Sequence, residues 1–515
     1  MALAILLYAR TLNNDFVVID DYSGFVENDT IKNLGASIKS FDLNNILYAL
    51  SYRYFGLSST PLHIMSIFLH FTNAILGFFV LKKLFNFKTA AVASLVFVVH
   101  PVNTEAVTWI SGRVYLYLTF FNLAILLPYI EYKKTNKLGY LFFAAEIYLG
   151  SLFVYRNIWL MLVPLLVFVV DRFFIEKKLD LKNLAPLGLI AGIAFCYLII
   201  SGPFIVEHTV TQRVLKNDLQ GRASNYGGNQ ENLKPIIEGY PFSTYSMVKL
   251  FIFPKDLTFY YNGNPVEGIE YFSIFLVFFV YIAGTAFALK KDIRLAGTLI
   301  LMPLLIAPVY SPIKITWYIA ERYLYLASLF FGLFVAFVLQ KLEDKKLSKT
   351  VLVTILGIIL AGFSIKTYTR ANEWQNTETI SIANLKTAPY TERPYNDLGA
   401  YYLINGRTVD SIVNYNKALT INRQSESAIN TVGLIMLKYG PKFLELQRKI
   451  STVQYEKDIT ENTGKIYFKL NEDLKALYFL NENLIHAPND AETLSMIKEI
   501  YTRNGLNKFA EELTN

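Results

Sequence analysis

Charge and cysteine are both scarce in this sequence. Only 17% of its 515 residues are Asp, Glu, Lys or Arg, whereas soluble globular domains average about 25%. Together with 53% hydrophobic residues, this composition excludes an intrinsically disordered chain and argues against a single soluble enzyme domain. The one cysteine, Cys196, excludes an intrachain disulfide. No Cys or His spacing resembles a zinc site, so the motifs predict no metal site.

Long apolar runs take the place of the missing charge. A helix needs about 20 mostly apolar residues to cross a bilayer. Such runs lie near 62–81, 89–100, 114–130, 138–154, 158–171, 184–206, 271–289, 295–310, 323–340 and 350–367. We interpret Met1 to about Leu12 as a shortened first helix, because it lacks the basic flank and cleavage site of a signal peptide. The sequence thus predicts an all-α, polytopic membrane domain of about eleven spans over residues 1–370.

Lysine and arginine are concentrated in alternate short loops between these runs. These loops lie near 82–88, 133–137, 172–182, 290–294 and 341–349. Cytoplasmic loops carry such an excess, so we predict a multi-pass protein of the cell membrane with a cytoplasmic N-terminus. The loops 13–61 and 207–270 and everything after about 370 are then extracytoplasmic. The net charge of +8 reflects this topology and does not indicate nucleic-acid binding.

From about Ala371 the sequence becomes polar, with a helical periodicity. Small and aromatic residues fall at the offsets of a tetratricopeptide unit of about 34 residues. They are Leu398, Gly399, Tyr402, Gly406, Tyr415, Ala418 and Leu419, with Gly433 and Gly440 one repeat later. We therefore predict a short extracytoplasmic tetratricopeptide-repeat domain over 371–515. An unrelated helical bundle is the alternative.

Two adjacent carboxylates, Asp20 and Asp21, follow the first helix on the predicted outer side. Neighbouring carboxylates repel each other, and desolvation at a membrane surface raises at least one pKa. One of them is therefore a candidate general base for a hydroxyl acceptor. A solvated turn or a helix cap would place the same residues there.

Other ionisable residues lie on the same predicted side. His100, Glu105 and Arg113 share the second outer loop, and Glu321–Arg322 begins a later span. A guanidinium binds phosphate through two parallel hydrogen bonds and stays charged, so Arg113, Arg322 and also Arg156 are candidate phosphate contacts. Arginines that simply reach the interface and a Glu–Arg bridge between helices are the structural alternatives.

The order of these motifs resembles the transmembrane-and-tetratricopeptide O-mannosyltransferases, which belong to the C-type glycosyltransferase superfamily. The resemblance covers essentially the whole chain, and the short repeat array suggests a prokaryotic member. It implies transfer of a sugar, mannose by expectation, from a polyprenyl-phosphate donor to a Ser or Thr hydroxyl of a protein on the outer face. It implies no cofactor firmly and leaves a divalent metal open. The repeats would recruit the protein acceptor.

The resemblance also implies roles for the candidate residues. Asp20 or Asp21 would be the catalytic carboxylate, with a slight preference for Asp20. His100, Glu105 and Arg113 would surround the donor phosphate and the acceptor. Arg322, oriented by Glu321, would be a second phosphate contact.

Three other functions remain compatible with the sequence, one of which is transfer of the sugar to lipid A or another lipid, although the repeats favour a protein acceptor. An O-antigen-type ligase or polymerase, which uses a pyrophosphate-linked glycan, would rely on His and Arg in a late outer loop, and the loop 207–270 contains His208, Arg213 and Arg222. A non-catalytic scaffold or a transporter is another alternative. Transporters carry ionisable residues in mid-span, whereas here they cluster at the outer ends.

Overall fold

The computed structural model describes residues 2–40, 42–155, 158–179, 183–205, 235–261, 266, 268–310, 318–451 and 457–513, and its regular elements there are helices. The chain divides into two compact units. The membrane unit holds the described residues up to Ala383, and the C-terminal unit begins at Asn384. Arg156 and most of the predicted outer loop 207–270 lie outside the described residues.

The membrane unit is built from helices of very different lengths. Its first helix, Ala2–Tyr8, is shorter than predicted and continues as the tight turn Ala9–Asn13. The other helices of at least five residues are Leu34–Lys39, Leu43–Phe55, Thr60–Leu84, Phe87–Val99, Thr104–Thr108, Val114–Thr135, Leu138–Tyr155, Val163–Val169, Ala185–Ile205, Tyr240–Ile252, Gly268–Lys291, Ile293–Leu304, Tyr325–Asp344 and Lys349–Glu373; Thr377–Thr387 crosses the boundary at Ala383. Tight or wide helical turns occupy Tyr22–Val26, Asp29–Lys32, Pro101–Asn103, Ser111–Arg113, Ile158–Leu162, Val170–Glu176, Pro235–Gly239, Ala307–Tyr310 and Glu321–Leu324.

Within the described residues, five helices are long and apolar enough to cross a membrane. They are Thr60–Leu84, Ser111–Thr135, Gly268–Lys291, Glu321–Asp344 and Lys349–Glu373. Ser111–Thr135 and Glu321–Asp344 each combine a tight turn with the helix that follows it, Val114–Thr135 and Tyr325–Asp344. Phe87–Val99 and Pro101–Thr108 make a sixth if they count as one span bent by 56°. The chain is thus a multi-pass helical membrane protein by length and composition.

The predicted number of about eleven spans is not reached by this criterion. Three of the remaining runs form shorter apolar helices, Leu138–Phe153, Ala185–Ile200 and Ile293–Leu304. The run near 158–171 is divided between helical segments, with Pro164 in the first turn of Val163–Val169. Proline fits the start of a helix and cannot sit inside one without removing a hydrogen bond. Apolar content was therefore a better guide to membrane location than to the number of full-length spans.

Two of the long helices form the centre of the membrane unit. The most apolar stretch of Glu321–Asp344 is 67% buried, and that of Ser111–Thr135 is 61% buried. The corresponding stretch of Lys349–Glu373 is only 6% buried. The backbone of Tyr325–Asp344 comes very close to that of Phe87–Val99, because a Cβ atom at Gly332 would overlap the carbonyl group of Ala93. Small residues permit such close contact, which is how membrane helices maximise van der Waals packing.

The predicted outer segment around Asp20 is fastened to the end of the helix Lys349–Glu373. The side-chain amide of Asn14 donates to the carbonyl group of Trp374 at 2.9 Å, and the backbone N–H of Asp15 donates to that of Gln375 at 2.9 Å. The N–H of Val18 donates to the Thr377 hydroxyl at 2.9 Å. These bonds place the Asp20–Asp21 turn next to the last turn of a long helix.

The C-terminal unit is a series of consecutive helices. They are Arg393–Ile404, Thr408–Ile421, Glu426–Tyr439, Pro441–Ile450, Lys457–Lys469, Asp473–His486, Ala491–Arg503 and Asn507–Glu512. A Cβ atom at Gly399 would lie 2.7 Å from the Tyr415 ring, and one at Gly433 would overlap the carbonyl oxygen of Leu474. The predicted helical character is confirmed, and the predicted small residues allow close packing between helices. The assignment to tetratricopeptide repeats stays a prediction.

We expect Gly332→Ala to destabilise the membrane unit by about 1–3 kcal/mol, because the added methyl group must displace the Ala93 backbone. Gly357→Ala is the matched control, since a Cβ atom there meets nothing within 4 Å. Thermal unfolding of the purified full chain should show a lower midpoint for Gly332→Ala and an unchanged or slightly higher one for Gly357→Ala. Equal midpoints would contradict the described packing.

Candidate active site

Two buried ion pairs connect three distant segments of the membrane unit. Arg322 is paired with Glu105, and Arg370 is paired with Glu321, with 2.8 Å between Nη2 of Arg370 and Oε1 of Glu321. The pairs join the helix Thr104–Thr108, the turn Glu321–Leu324 and the last turns of Lys349–Glu373. Because removing a charge from water costs several kcal/mol unless it is paired, these contacts strongly constrain how the segments pack.

Glu321 is paired with Arg370 and not with its sequence neighbour Arg322. Its carboxylate receives hydrogen bonds from Arg370 at 2.8 and 3.4 Å and from the Tyr261 hydroxyl at 3.2 Å. Adjacent residues of a helical turn point in different directions, so Glu321 is directed away from the guanidinium of Arg322. The carboxylate that pairs with Arg322 in the structure is that of Glu105.

Aromatic rings surround the Arg322 guanidinium. Its Cζ atom lies 4.7 Å from the ring centroid of Phe259, 5.0 Å from that of Tyr323 and 5.4 Å from that of Trp109. Ring faces attract a cation, and the attraction is stronger away from water. A cavity borders this arginine and is lined by Tyr115, Leu118, Thr119, Asn122, Trp159, Leu162, Leu305, Tyr323, Tyr325 and Leu326. Arg322 thus has its charge balanced by Glu105 and still lines a space between helices.

The two adjacent aspartates have different surroundings. Asp20 is exposed, whereas Asp21 is buried. The Asp21 carboxylate accepts hydrogen bonds from the Ser111 hydroxyl at 2.5 Å, the Ser111 N–H at 2.9 Å and the Val17 N–H at 3.0 Å. Burial raises the pKa of Asp21 to about 6, although these hydrogen bonds act in the opposite direction. Asp21 therefore connects the first outer segment to the turn Ser111–Arg113.

Arg113 ends that same turn and is fully buried. Its Nη2 atom donates a long hydrogen bond of 3.5 Å to the Ile110 carbonyl oxygen, and its Cζ atom lies 5.3 Å from the centroid of the Tyr48 ring. Among the residues that the structure describes, its Nε and Nη1 atoms have no hydrogen-bond partner, and the Tyr117 hydroxyl is the polar side-chain group that interacts with the guanidinium. Within the described ranges, the other buried arginines Arg172, Arg322 and Arg370 each pair with a carboxylate, whereas Arg113 forms no such pair.

A close backbone contact holds this turn in place. A Cβ atom at Gly112 would lie 2.9 Å from the carbonyl oxygen of Glu105. Glycine therefore lets the turn Ser111–Arg113 pack directly on the helix that carries Glu105. The result places the Arg113 guanidinium and the Glu105–Arg322 pair on neighbouring elements.

His100 is enclosed by hydrophobic rings. Its Nε2 atom donates to the Phe251 carbonyl oxygen at 3.1 Å, and its Nδ1 atom accepts from the Val102 N–H at 3.3 Å. The rings of Phe251, Phe331 and Phe363 have centroids 5.7, 5.3 and 4.5 Å from that of His100. The predicted contact of His100 with a substrate would require one of these hydrogen bonds to break.

The structure thus brings together most of the predicted residues and adds others. Arg370, Ser111 and Tyr48 were not singled out from the sequence. Arg370 alone carried a usable signal, as a charged residue on the last turns of an apolar helix, where burial requires a partner. Within the described ranges, no group of three or more His, Cys, Asp and Glu side chains is placed to hold a metal ion.

These features define a multi-pass helical membrane protein with a buried charged site at the ends of its spans. A fully buried guanidinium with unused donors is suited to an anionic ligand. An exposed carboxylate on the neighbouring turn is suited to accepting a proton.

Comparison with known proteins agrees with this class. A protein O-mannosyl-transferase of Caenorhabditis elegans is 26% identical over 463 residues, which cover 83% of this chain and 62% of that protein. Human TMTC3, also a protein O-mannosyl-transferase, is 23% identical over 72% of this chain and 43% of its own length. Human TMTC1 is 22% identical over 80% of this chain and 50% of its own length. No protein-family model matches the chain.

The chain is therefore a distant homologue of the TMTC-family protein O-mannosyl-transferases. It spans about half the length of the curated relatives it matches. The similarity extends over most of this chain and agrees with the expected family resemblance.

We expect Glu105→Ala to lower the stability of the chain by about 3–5 kcal/mol, because it leaves the buried Arg322 guanidinium without its counter-charge. Asp29→Ala is the control: it removes the exposed pair of Asp29 with Lys32, and exposed pairs contribute about 0–1 kcal/mol. Thermal unfolding of both variants measures the difference.

The double variant Glu105→Met with Arg322→Met tests whether the unpaired charge of Arg322 causes this loss of stability. Removing both charges should recover most of the lost stability, because a hydrophobic pair of similar size needs no counter-charge. A double variant no more stable than Glu105→Ala would contradict this explanation.

Proposed function

We propose that this chain is an integral-membrane glycosyltransferase. It moves a sugar, mannose by analogy with the names of its relatives, from a polyprenyl-phosphate donor to a Ser or Thr hydroxyl of a protein outside the membrane. The observation that carries the proposal is the buried guanidinium of Arg113, which pairs with no carboxylate among the described residues and lies beside the Asp20–Asp21 turn. The C-type glycosyltransferase fold with about eleven spans, the cytoplasmic N-terminus and the extracytoplasmic tetratricopeptide domain over 371–515 are parts of the same proposal.

The proposed reaction is a single displacement. A carboxylate takes the proton of the acceptor hydroxyl, and the oxygen attacks the anomeric carbon of the donor sugar. The bond between that carbon and the phosphate oxygen breaks, and its electron pair leaves with the phosphate. The positive charge of Arg113 stabilises the phosphate as its negative charge increases, an effect that is strong where water is excluded.

The structure supports different roles for the two aspartates. Asp20 is exposed and so is accessible to a protein acceptor, which supports it as the general base. Asp21 is buried and binds Ser111, two residues before Arg113. We infer that Asp21 holds the Asp20 turn in a fixed position relative to Arg113, the proposed phosphate-binding residue.

The alternatives have less support among the described residues. The pyrophosphate-dependent ligase would use His208, Arg213 and Arg222, all of which lie outside the described residues. A scaffold without catalytic function offers no reason for a buried arginine with unused hydrogen-bond donors, which costs free energy when left empty.

We expect the double variant Asp20→Asn with Asp21→Asn to lose sugar transfer by about 100-fold or more, the contribution of a general base. The measurement uses membranes containing the full chain, a polyprenyl-phosphate mannose with radiolabelled sugar and a Ser/Thr-rich protein acceptor. Asp29→Asn is the control, because Asp29 is exposed and interacts with Lys32 only three residues away. Unchanged transfer in the double variant would refute the assignment of the base.

The raised pKa of Asp21 leads us to expect that sugar transfer depends on pH. Its pKa is about 6, so the carboxylate is ionised above that pH and loses its charge as the pH falls, which weakens its bonds to Ser111 and Val17. Transfer should therefore decrease below about pH 6. Ser111→Ala removes a hydrogen bond that lowers this pKa, so the midpoint should move to higher pH. Ser23→Ala is the control, since its hydroxyl contacts the Asp20 carbonyl group instead; identical profiles for both variants would contradict the role of Asp21.

A further inference from the structure

Glu146 is an acidic residue in the middle of an apolar helix. It is the ninth of the 18 residues of Leu138–Tyr155, so about 12 Å of helix or more separates it from either end. In the five helices that are long enough to cross a membrane, every Asp, Glu, Lys and Arg lies within eight residues of an end. Ionisable residues inside a membrane are costly and usually mark a functional contact, so the position of Glu146 needs an explanation.

The helix that carries Glu146 runs alongside a helix of membrane-spanning length. Leu138–Tyr155 follows Val114–Thr135 after only two residues, Asn136 and Lys137, and the two helices pack against each other. A connection this short makes neighbouring helices antiparallel, so Leu138–Tyr155 lies along the apolar length of its partner. The middle of the helix, which holds Glu146, is therefore in the hydrocarbon region and not at the membrane surface.

Glu146 faces away from the rest of the chain. The opposite side of the helix carries buried residues such as Leu141, Ala144 and Tyr148, whereas Glu146 is exposed. The exposed residues on its own face lie three, four or seven positions away, which is the spacing of one helix face. They are all apolar: Phe142, Phe143, Leu149 and Phe153. An apolar surface with a carboxyl group at its centre thus faces the lipid.

Among the described residues, nothing satisfies the Glu146 carboxyl group. It forms no ion pair and no hydrogen bond there, whereas Glu131 on the neighbouring helix pairs with Lys83 at 2.5 Å. Long Lys and Arg side chains can reach the membrane surface from within a span, but a Glu side chain in mid-helix is too short to do so. The surface around Glu146 therefore needs a polar partner at this depth.

The chemistry of a carboxyl group in hydrocarbon limits what this partner can be. An isolated carboxylate costs far more free energy there than a neutral carboxylic acid does. A neutral acid has one O–H donor and also accepts hydrogen bonds, so its partner must offer both an acceptor and a donor. A lysine or arginine from a second copy cannot serve, because the five long helices carry none in mid-span.

A second Glu146 meets this requirement. When a two-fold axis relates two copies of a chain, a residue on the axis meets its own equivalent. Two carboxylic acids then pair through two O–H···O hydrogen bonds, because each acid donates one and accepts one. Gly150, one turn further along the exposed face, has open space around it, and a glycine there lets two helices approach closely.

We propose that the exposed face of Leu138–Tyr155 is the contact between two copies of this chain, in which the two Glu146 side chains hydrogen-bond to each other across a two-fold axis. The rings of Phe142, Phe143 and Phe153 pack around this pair and exclude lipid from it. The inference does not rest on the proposed function, because none of these residues belongs to the candidate active site.

Energy transfer between dye-labelled full chains in liposomes measures the association as the protein-to-lipid ratio is varied. We expect Glu146→Leu to raise the dissociation constant about tenfold or more, because both hydrogen bonds across the contact are lost. Glu146→Gln should keep most of the affinity, since an amide also donates and accepts. Glu131→Leu is the control, because that carboxylate is already paired with Lys83. Monomeric wild-type chains, or equal association of wild type and Glu146→Leu, would overturn the proposal.

Oxidative cross-linking in membranes tests where the contact lies. In a Cys196→Ser background, Gly150→Cys should form a disulfide between copies, because residues next to the axis can bring their Cα atoms within the about 4.4–6.8 Å that a disulfide requires. Phe279→Cys is the control, since Phe279 is exposed on a different helix, Gly268–Lys291. Gly150→Cys that cross-links no better than Phe279→Cys would overturn the proposed contact.

A folding defect is distinguishable from a loss of association. Because Glu146 is exposed and has no polar partner among the described residues, Glu146→Leu should leave the thermal midpoint of the full chain unchanged or raise it. If the midpoint falls instead, the cross-linking of Gly150→Cys decides the question, because that variant retains Glu146.

Discussion

The buried pairs Glu105–Arg322 and Glu321–Arg370 are the constraint on which the site depends. Each charge would cost several kcal/mol if left alone in this interior, so each segment can pack in only one way that satisfies its partner. The pairs fix the turn Glu321–Leu324 between the helix Thr104–Thr108 and the end of Lys349–Glu373. The turn Ser111–Arg113 and the segment that carries Asp20 and Asp21 are then attached to these fixed elements by hydrogen bonds and close packing.

This arrangement also explains why the arginines are not equivalent. Arg322 and Arg370 are paired with carboxylates, whereas two nitrogen atoms of Arg113 have no hydrogen-bond partner in the described part of the chain. A guanidinium that is already paired binds an incoming phosphate less strongly, because the ligand must compete with the existing carboxylate. Neutralising two of these three guanidinium groups therefore concentrates the attraction for an anion at Arg113, next to the Asp21 turn.

The sequence indicated which residues lie at the candidate site better than it indicated which of their side chains form ion pairs. Apolar runs indicated the membrane helices, and motif order led to Asp20, Asp21, Arg113 and Arg322. Glu321 and Arg322 are adjacent in sequence, which suggested one functional pair, but their side chains diverge on the turn and meet partners that lie far away in the chain. The number of spans was equally hard to predict, since proline and short breaks divide apolar runs of similar composition.

A structure of the full chain with an intact polyprenyl-phosphate sugar bound tests the central claim most directly. The account predicts that the phosphate lies against the Nε and Nη1 atoms of Arg113, with the Glu105–Arg322 and Glu321–Arg370 pairs unbroken and the anomeric carbon facing the Asp20–Asp21 turn. A phosphate bound to Arg322 in place of Glu105, with Arg113 making no contact to the lipid, would contradict it.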